Sequence, residues 1–134
     1  MFAVFAALML GLYDIGYGYS GDRELYAYFF LQHVNSDISW NEILSNKEWA
    51  FYLYQNLTSF LEEPQYWFVL TAFIYVFNYY FVAKKIAPEN TLLLFLAVVG
   101  AFCFNSYGTN TIRAGLALSF VVAVSYTHLR AHET

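Results

Sequence analysis

Two long stretches without a charged side chain most constrain the fold of this chain. Residues 65–83 and 91–112 contain no Asp, Glu, Lys or Arg, and a helix that crosses a bilayer needs about 20 consecutive, mostly apolar residues. Pro64 precedes the first stretch and Lys84 and Lys85 follow it, as is typical of the start and the end of a helix. The sequence therefore predicts an all-α, polytopic transmembrane helical protein, with about three to five membrane helices and interfacial amphipathic helices.

The composition supports a membrane protein and excludes several other classes. Hydrophobic residues make up 60% of the chain and charged residues 12%, whereas about 25% of a soluble domain is charged. Ten acidic and six basic residues give a net charge of −4, which does not favour binding to nucleic acid. The single cysteine excludes an internal disulfide and a cysteine-rich zinc site. We expect the lipid bilayer as a partner, and neither a metal nor a cofactor.

The charged residues divide the chain into segments of one membrane domain. Residues 14–63 are rich in acidic and aromatic residues, and two helices predicted there lie at the membrane interface. The first has one apolar face, with His33 as a packed residue; the face consists of Leu25, Tyr26, Phe29, Phe30 and His33. The second covers residues 48–61. The predicted domain comprises a partial helix at 1–13, an extracytoplasmic amphipathic segment at 14–63, and membrane helices at 65–83, 91–106 and 111–123, the last truncated.

The last segment, residues 124–134, differs from the chain before it. An apolar helix pattern begins at Ala114, stops after about ten residues and is followed by polar residues, among them His128 and His132. The whole segment resembles the in-frame translation of a transposon-library sequencing adaptor. We therefore expect 124–134 to be a non-native tail that packs against nothing, and the remaining 1–123 to be a fragment.

The distribution of basic residues predicts the orientation. Lys84 and Lys85 are the one basic pair, and basic residues favour the cytoplasmic side. Residues 36–46 and 107–113 then lie outside the cell. If the helix at 48–61 crosses the membrane, the segment before it moves to the inside instead.

The strongest candidate for chemistry is Arg113, which lies between two apolar runs. An arginine there is costly unless it faces a water-filled cavity or an opposite charge. Gly108 permits a sharp turn before it, and Thr109 or Asn110 can cap a new helix. Arg113 would then lie in the first turn of that helix, where the helix dipole disfavours a cation. Such a position suits an arginine that binds an anion, and its guanidinium matches phosphate well.

Each candidate residue also has a simpler interpretation. Arg113 can extend to the membrane interface, or pair with Asp22 or Glu48. Asp22 can stabilise the start of a helix, and Glu48 can face water. The many aromatic residues can stack on sugar rings, but aromatic belts at headgroup level explain them more simply. That interpretation includes the three tryptophans, Trp40, Trp49 and Trp67.

Three segments carry a resemblance to a known family. Residues 107–120, YGTNTIRAGLALSF, resemble the signature of the EpsG/Wzy-like family of membrane polysaccharide polymerases. Residues 20–26 are similar to the family's small-small-Asp…Tyr segment, and residues 48–53 to its Glu-Pro-x-Phe segment. Members often carry an arginine just before the Asp segment, where residues 11–14 of this chain read Gly-Leu-Tyr-Asp. Arg23 is the candidate substitute.

The resemblance implies a function in capsule or exopolysaccharide biosynthesis. Family members transfer sugar repeat units between polyprenyl-diphosphate carriers at the outer face of the bacterial cell membrane, in which they are multi-pass proteins. The resemblance also implies that Asp22 or Glu48 is a catalytic base and that Arg113 is a catalytic residue that binds the diphosphate. The implied substrate-binding residues are Arg23, Tyr26 and Asn110.

A second function stays open from the sequence. The chain could belong to a non-enzymatic membrane component, either a translocator of lipid-linked sugars or an accessory subunit that binds other polysaccharide-export proteins. An Arg113 side chain that faces a cavity favours the polymerase. An Arg113 side chain buried in a pair with Glu62 favours the non-enzymatic component.

Overall fold

The chain is mainly helical in the part that the structure, a computed structural model, describes: residues 1–13, 22–36, 38–109 and 111–131. That part contains no strand, which confirms the predicted all-α class. Its eight α-helices are α1 Phe2–Gly11, α2 Asp22–Asn35, α3 Trp40–Ser45, α4 Trp49–Leu57, α5 Pro64–Ile86, α6 Thr91–Gly100, α7 Phe102–Thr109 and α8 Ile112–Ala131, and a 3-10 turn, Ser59–Leu61, follows α4.

Helix α5 is the one described helix that is long and apolar enough to cross a membrane by itself. At about 1.5 Å per residue its length exceeds the ~30 Å of a bilayer core. Helices α6 and Cys103–Thr109 together form a second candidate, bent by 69°. The other apolar helical segments are shorter: α1, and the part of α8 over Ile112–His128. By length and composition, the described residues thus provide one or two membrane helices, fewer than the sequence predicted.

Helix α1 packs antiparallel to α5. The side-chain amide of Gln65, near the start of α5, donates to the carbonyl oxygen of Gly11 at the end of α1, at 2.6 Å. A Cβ atom on Gly11 would lie 2.7 Å from the Cα of Val69. Only glycine therefore allows the two backbones to approach this closely.

Helix α8 runs parallel to α5 along most of its length. Ile112 packs beside Phe68, the Asn78 amide donates to Ser119 at 3.0 Å, and the Tyr126 hydroxyl donates to the Lys85 carbonyl at 2.9 Å. Ser119 and Tyr126 lie seven residues apart, two helical turns, and so share one face. The expectation that residues 124–134 pack against nothing is therefore wrong at Tyr126, because the helix continues without a breaker. Their non-native origin stays a prediction.

The segment predicted as one helix over residues 91–106 is divided into α6 and α7. Ala101, between them, has an extended backbone with ψ 134°. Two side chains accompany the break: the Tyr75 hydroxyl donates to the Phe104 carbonyl at 2.9 Å, and the Asn105 amide donates to the Val99 carbonyl at 3.1 Å. The Asn105 bond satisfies the Val99 carbonyl, which the end of α6 leaves without a helical partner, and the Tyr75 bond holds α7 against α5. The apolar pattern of the sequence did not reveal either contact.

Helices α2 and α4 pack on the end of the bundle where α5 and α8 begin. Trp67 of α5 is 0% exposed at the centre of this contact, with ring centroids 5.5 Å from Phe30 and 5.0 Å from Phe68. Trp40 and Trp49 are exposed, as the interfacial interpretation requires. Trp67 does not fit the interfacial interpretation, because protein side chains enclose its ring.

Helix α2 buries a face slightly rotated from the predicted one. Arg23, Tyr26, Phe30 and His33 are buried, whereas Leu25, which we placed on the apolar face, is exposed. The prediction of His33 as a packed residue is confirmed: its ring lies edge-on to Tyr52, and burial lowers its pKa. The rotation follows from Arg23, whose side chain turns inward to α1.

Candidate active site

Arg113 and Glu48 form an ion pair at this end of the bundle. Arg113 is the second residue of α8, and its Nη1 donates to Oε2 of Glu48, the residue just before α4. The side chains are 47% and 43% exposed. A pair this open to water contributes about 0–1 kcal/mol to stability, so another anion can replace Glu48 at little cost.

The buried face of α8, opposite Arg113, explains the spacing of the small and apolar residues in the motif at residues 107–120. Ile112, Gly115, Leu116 and Ser119 are all buried, at positions i, i+3, i+4 and i+7 of one helical face. A Cβ atom on Gly115 would lie 2.6 Å from the Tyr107 carbonyl oxygen. The glycine therefore lets α7 lie directly against α8, and this contact places Arg113 at the ion pair.

Replacing Gly115 by alanine should displace α7 from α8 and lower the melting temperature, although alanine is favoured in a helix by about 1 kcal/mol. Gly100→Ala is the matched control, because its added Cβ meets nothing within 4 Å. Thermal unfolding in detergent would measure both. A Gly115→Ala melting temperature equal to or above that of Gly100→Ala would contradict the close contact.

A polar cavity of about 160 Å³ lies on one side of the ion pair. Helices α2, α4 and α8 contribute its walls, which are Asp22, Leu25, Tyr26, Phe29, Glu48, Phe51, Tyr52, Gln55 and Arg113. Four residues predicted from the sequence, Asp22, Tyr26, Glu48 and Arg113, thus come together, and Asn110 lies outside the described residues. No group of three or more His, Cys, Asp or Glu that could hold a metal occurs in the described part.

An apolar groove of about 460 Å³ lies on the other side of the same ion pair. It runs between α4 and α8 and is lined by Lys47, Glu48, Trp49, Ala50, Phe51, Tyr54, Ile74, Arg113, Leu116, Ala117 and Phe120. Glu48, Phe51 and Arg113 line both spaces. The two charges therefore separate a polar cavity from an apolar groove.

Tyr26 contributes a hydroxyl group that stays protonated beside these charges. Burial raises its pKa above the usual value. The positive charge of Arg113 and a hydrogen bond with its backbone act in the opposite direction, while Asp22 and Glu48 raise the pKa further. At neutral pH the Tyr26 hydroxyl can therefore donate a hydrogen bond.

Arg23 does not line the cavity or the groove. It is 1% exposed and donates from Nη1 to the Leu10 carbonyl at 3.2 Å and from Nη2 to the Gly11 carbonyl at 2.8 Å. Its guanidinium carbon lies 4.0 Å from the ring centroid of Phe68. These contacts satisfy carbonyls at the C-terminal end of α1 and favour that end electrostatically. The structure thus places Arg23, the candidate substitute for the family's arginine, at α1 and apart from Arg113.

Sequence reasoning missed Gln55. Its side chain is 0% exposed and lines the polar cavity, and neither amide atom has a hydrogen-bond partner among the described residues. The available signal was a glutamine in the helical segment WAFYLYQNL, in which four of the nine residues are aromatic.

The comparison with known families gives one match. The family model of the EpsG family matches residues 1–133, nearly the whole chain, including most of the segment predicted to be non-native. No curated protein and no solved structure matches the chain.

Proposed function

Because the chain belongs to the EpsG family, as its motifs suggested, we propose that it is part of a membrane polysaccharide polymerase. The proposed reaction joins polyprenyl-diphosphate-linked sugar repeat units in capsule or exopolysaccharide biosynthesis. The family is generally membrane-associated, and a multi-pass position in the bacterial cell membrane belongs to the same proposal.

The order of the three parts of the site supports this function best. A lipid-linked sugar consists of a polar sugar, a charged diphosphate and an apolar isoprenoid chain. The polar cavity, the Arg113–Glu48 pair and the apolar groove follow one another in the same order. A substrate bound across the pair would place each part in a chemically matching environment.

The ion pair can supply both charges that the reaction needs. The diphosphate takes Arg113 in a bidentate hydrogen bond, which releases the Glu48 carboxylate. The acceptor hydroxyl transfers its proton to Glu48 or Asp22 as its oxygen forms a bond to the anomeric carbon of the donor sugar. The bond from that carbon to the diphosphate oxygen breaks, and Arg113 neutralises the leaving polyprenyl diphosphate.

The geometry of Arg113 is less favourable for the non-enzymatic alternative. For the non-enzymatic component we expected an Arg113 side chain buried in a pair with Glu62. Arg113 instead pairs with Glu48, is about half exposed, and lines a cavity. A translocator or export subunit of lipid-linked sugars remains the second candidate, and it makes a different experimental prediction.

Reconstitution separates the two functions. The full-length protein that contains this chain would be placed in proteoliposomes with polyprenyl-diphosphate-linked repeat units, and the glycan length would be followed by electrophoresis. The polymerase produces a ladder of longer glycans and releases polyprenyl diphosphate. A translocator moves the substrate across the bilayer without any increase in length, and this result would refute the polymerase.

The proposed orientation can be tested by cysteine labelling. In a Cys103→Ser background, Ser106→Cys should react with an impermeant maleimide added outside intact cells, whereas Lys84→Cys should react only after lysis. The physical reason is that basic residues resist translocation. The reverse labelling pattern would invert the assigned sides.

A further inference from the structure

We propose that the polar cavity binds one uncharged pyranose ring, the sugar attached directly to the diphosphate, and that the Gln55 amide hydrogen-bonds its hydroxyl groups. The inference rests on the proposed function for the position of the diphosphate. It assigns a substrate class to the cavity and a specificity role to a residue that the catalytic scheme does not use.

The state of Gln55 is the main observation. Gln55 lines the cavity, but its amide has no accessible surface there, and its nitrogen and oxygen both lack a hydrogen-bond partner among the described residues. The proposed binding therefore includes a rotation of this side chain toward the bound sugar. A buried amide without partners is unfavourable. Neighbouring hydroxyls of a sugar offer an acceptor and a donor at adjacent positions, which match the amide nitrogen and oxygen.

The remaining wall residues also suit a sugar ring. Tyr26 and Phe51 meet edge-on at a centroid distance of 5.7 Å, and Tyr52 lines the same space. Aromatic faces carry partial negative charge and attract the polarised C–H groups of a pyranose. The Tyr26 hydroxyl and the Asp22 carboxylate add one donor and one set of acceptors.

The charges of the cavity favour a neutral sugar. Asp22 and Glu48 provide two negative charges and Arg113 one positive charge. When the diphosphate holds Arg113, the carboxylates face the sugar without compensation. A uronic acid or a pyruvylated sugar would therefore be repelled, whereas neutral hydroxyl groups can donate hydrogen bonds to both carboxylates.

The size of the cavity limits the number of rings. Its volume is about 160 Å³, against about 460 Å³ for the neighbouring groove, so the cavity suits a single ring and the groove a longer chain. The cavity ends at Glu48 and Arg113, which also line the apolar groove. The bound ring is therefore the one next to the diphosphate, and the rest of the repeat unit extends away.

The test compares Gln55→Met with Gln32→Met in the full-length protein in nanodiscs. Gln32 lies on α2, is exposed and donates to Tyr28, so it controls for the loss of a glutamine. Saturation-transfer NMR would use the methyl pyranosides of glucose, galactose, mannose and N-acetylglucosamine, with methyl glucuronide as the acidic probe. We expect a neutral pyranoside to bind, the glucuronide not to bind, and Gln55→Met alone to weaken binding about tenfold.

Two further readouts make the result decisive. Gln55→Met should leave the melting temperature unchanged or raised, since the amide has no partner to lose; a large fall would make Gln55 structural. Glucuronide binding as tight as neutral binding, no binding of any neutral pyranoside, or binding insensitive to Gln55→Met would each overturn the inference. Polymerisation insensitive to Gln55→Met refutes the inference and leaves the proposed function intact. Sugar binding that depends on Gln55, without any polymerisation, would support the inference and refute the proposed function.

Discussion

Replacing Arg113 by alanine should abolish polymer formation while the full-length protein is still made and inserted. The loss of stability should be at most about 1 kcal/mol, because the pair with Glu48 is half exposed. The loss of activity should be at least 10²-fold, roughly the effect of removing one preorganised charge-stabilising donor. Arg113→Lys should be intermediate and closer to alanine, because lysine keeps the charge but loses the bidentate geometry. The polymerising activity of both variants would be measured as glycan length on gels.

An exchange of the two charges separates catalysis from folding. The double variant Arg113→Glu with Glu48→Arg restores an ion pair between α4 and α8 but reverses the position of the cation. We expect the melting temperature to return to that of the unmodified protein and the polymer to stay absent. Polymer of normal length from Arg113→Ala or from the exchange variant would show that the arginine only joins two helices.

The residues at the site were predictable where a local rule applied. Arg113 was found because a cation in the first turn of an apolar helix violates two rules at once, and such violations are common at functional sites. Glu48 and Asp22 were named as candidate partners or bases. The choice of Glu48 as the partner depends on how α4 lies against α8, and no local pattern specifies this contact.

The elements that were not predictable depend on tertiary contacts in the same way. The bend between α6 and α7 is accompanied by a hydrogen bond from Tyr75, which lies 29 residues before its acceptor, Phe104. Arg23 is attached to α1 by carbonyls that are free only because that helix ends there. Trp67 is buried because α2 and α4 cover the start of α5. In each case the sequence supplied the residue type, and the fold supplied the neighbour.

Under the proposed mechanism, the same contacts favour Glu48 over Asp22 as the base. Because Glu48 holds Arg113, a diphosphate that binds the arginine would free this carboxylate beside the donor sugar. Asp22 lines the cavity on α2, whereas the ion pair of Arg113 within the described residues is with Glu48. In the proposed mechanism the two carboxylates therefore differ in their link to the arginine that binds the diphosphate, although both line the same cavity.

Glu48→Gln should lower the rate of polymerisation by about 10²–10⁴-fold, the usual effect of removing a general base, and Asp22→Asn should lower it less. Glutamine keeps the size of the side chain and can still accept a hydrogen bond from Arg113, so the fold should persist. Glu24→Gln is the matched control, because Glu24 is an exposed carboxylate on α2 that does not line the cavity. Rates would be measured on reconstituted protein with saturating lipid-linked repeat units. A larger loss for Asp22→Asn would transfer the role of base to Asp22, and losses for both no greater than for Glu24→Gln would exclude a carboxylate base.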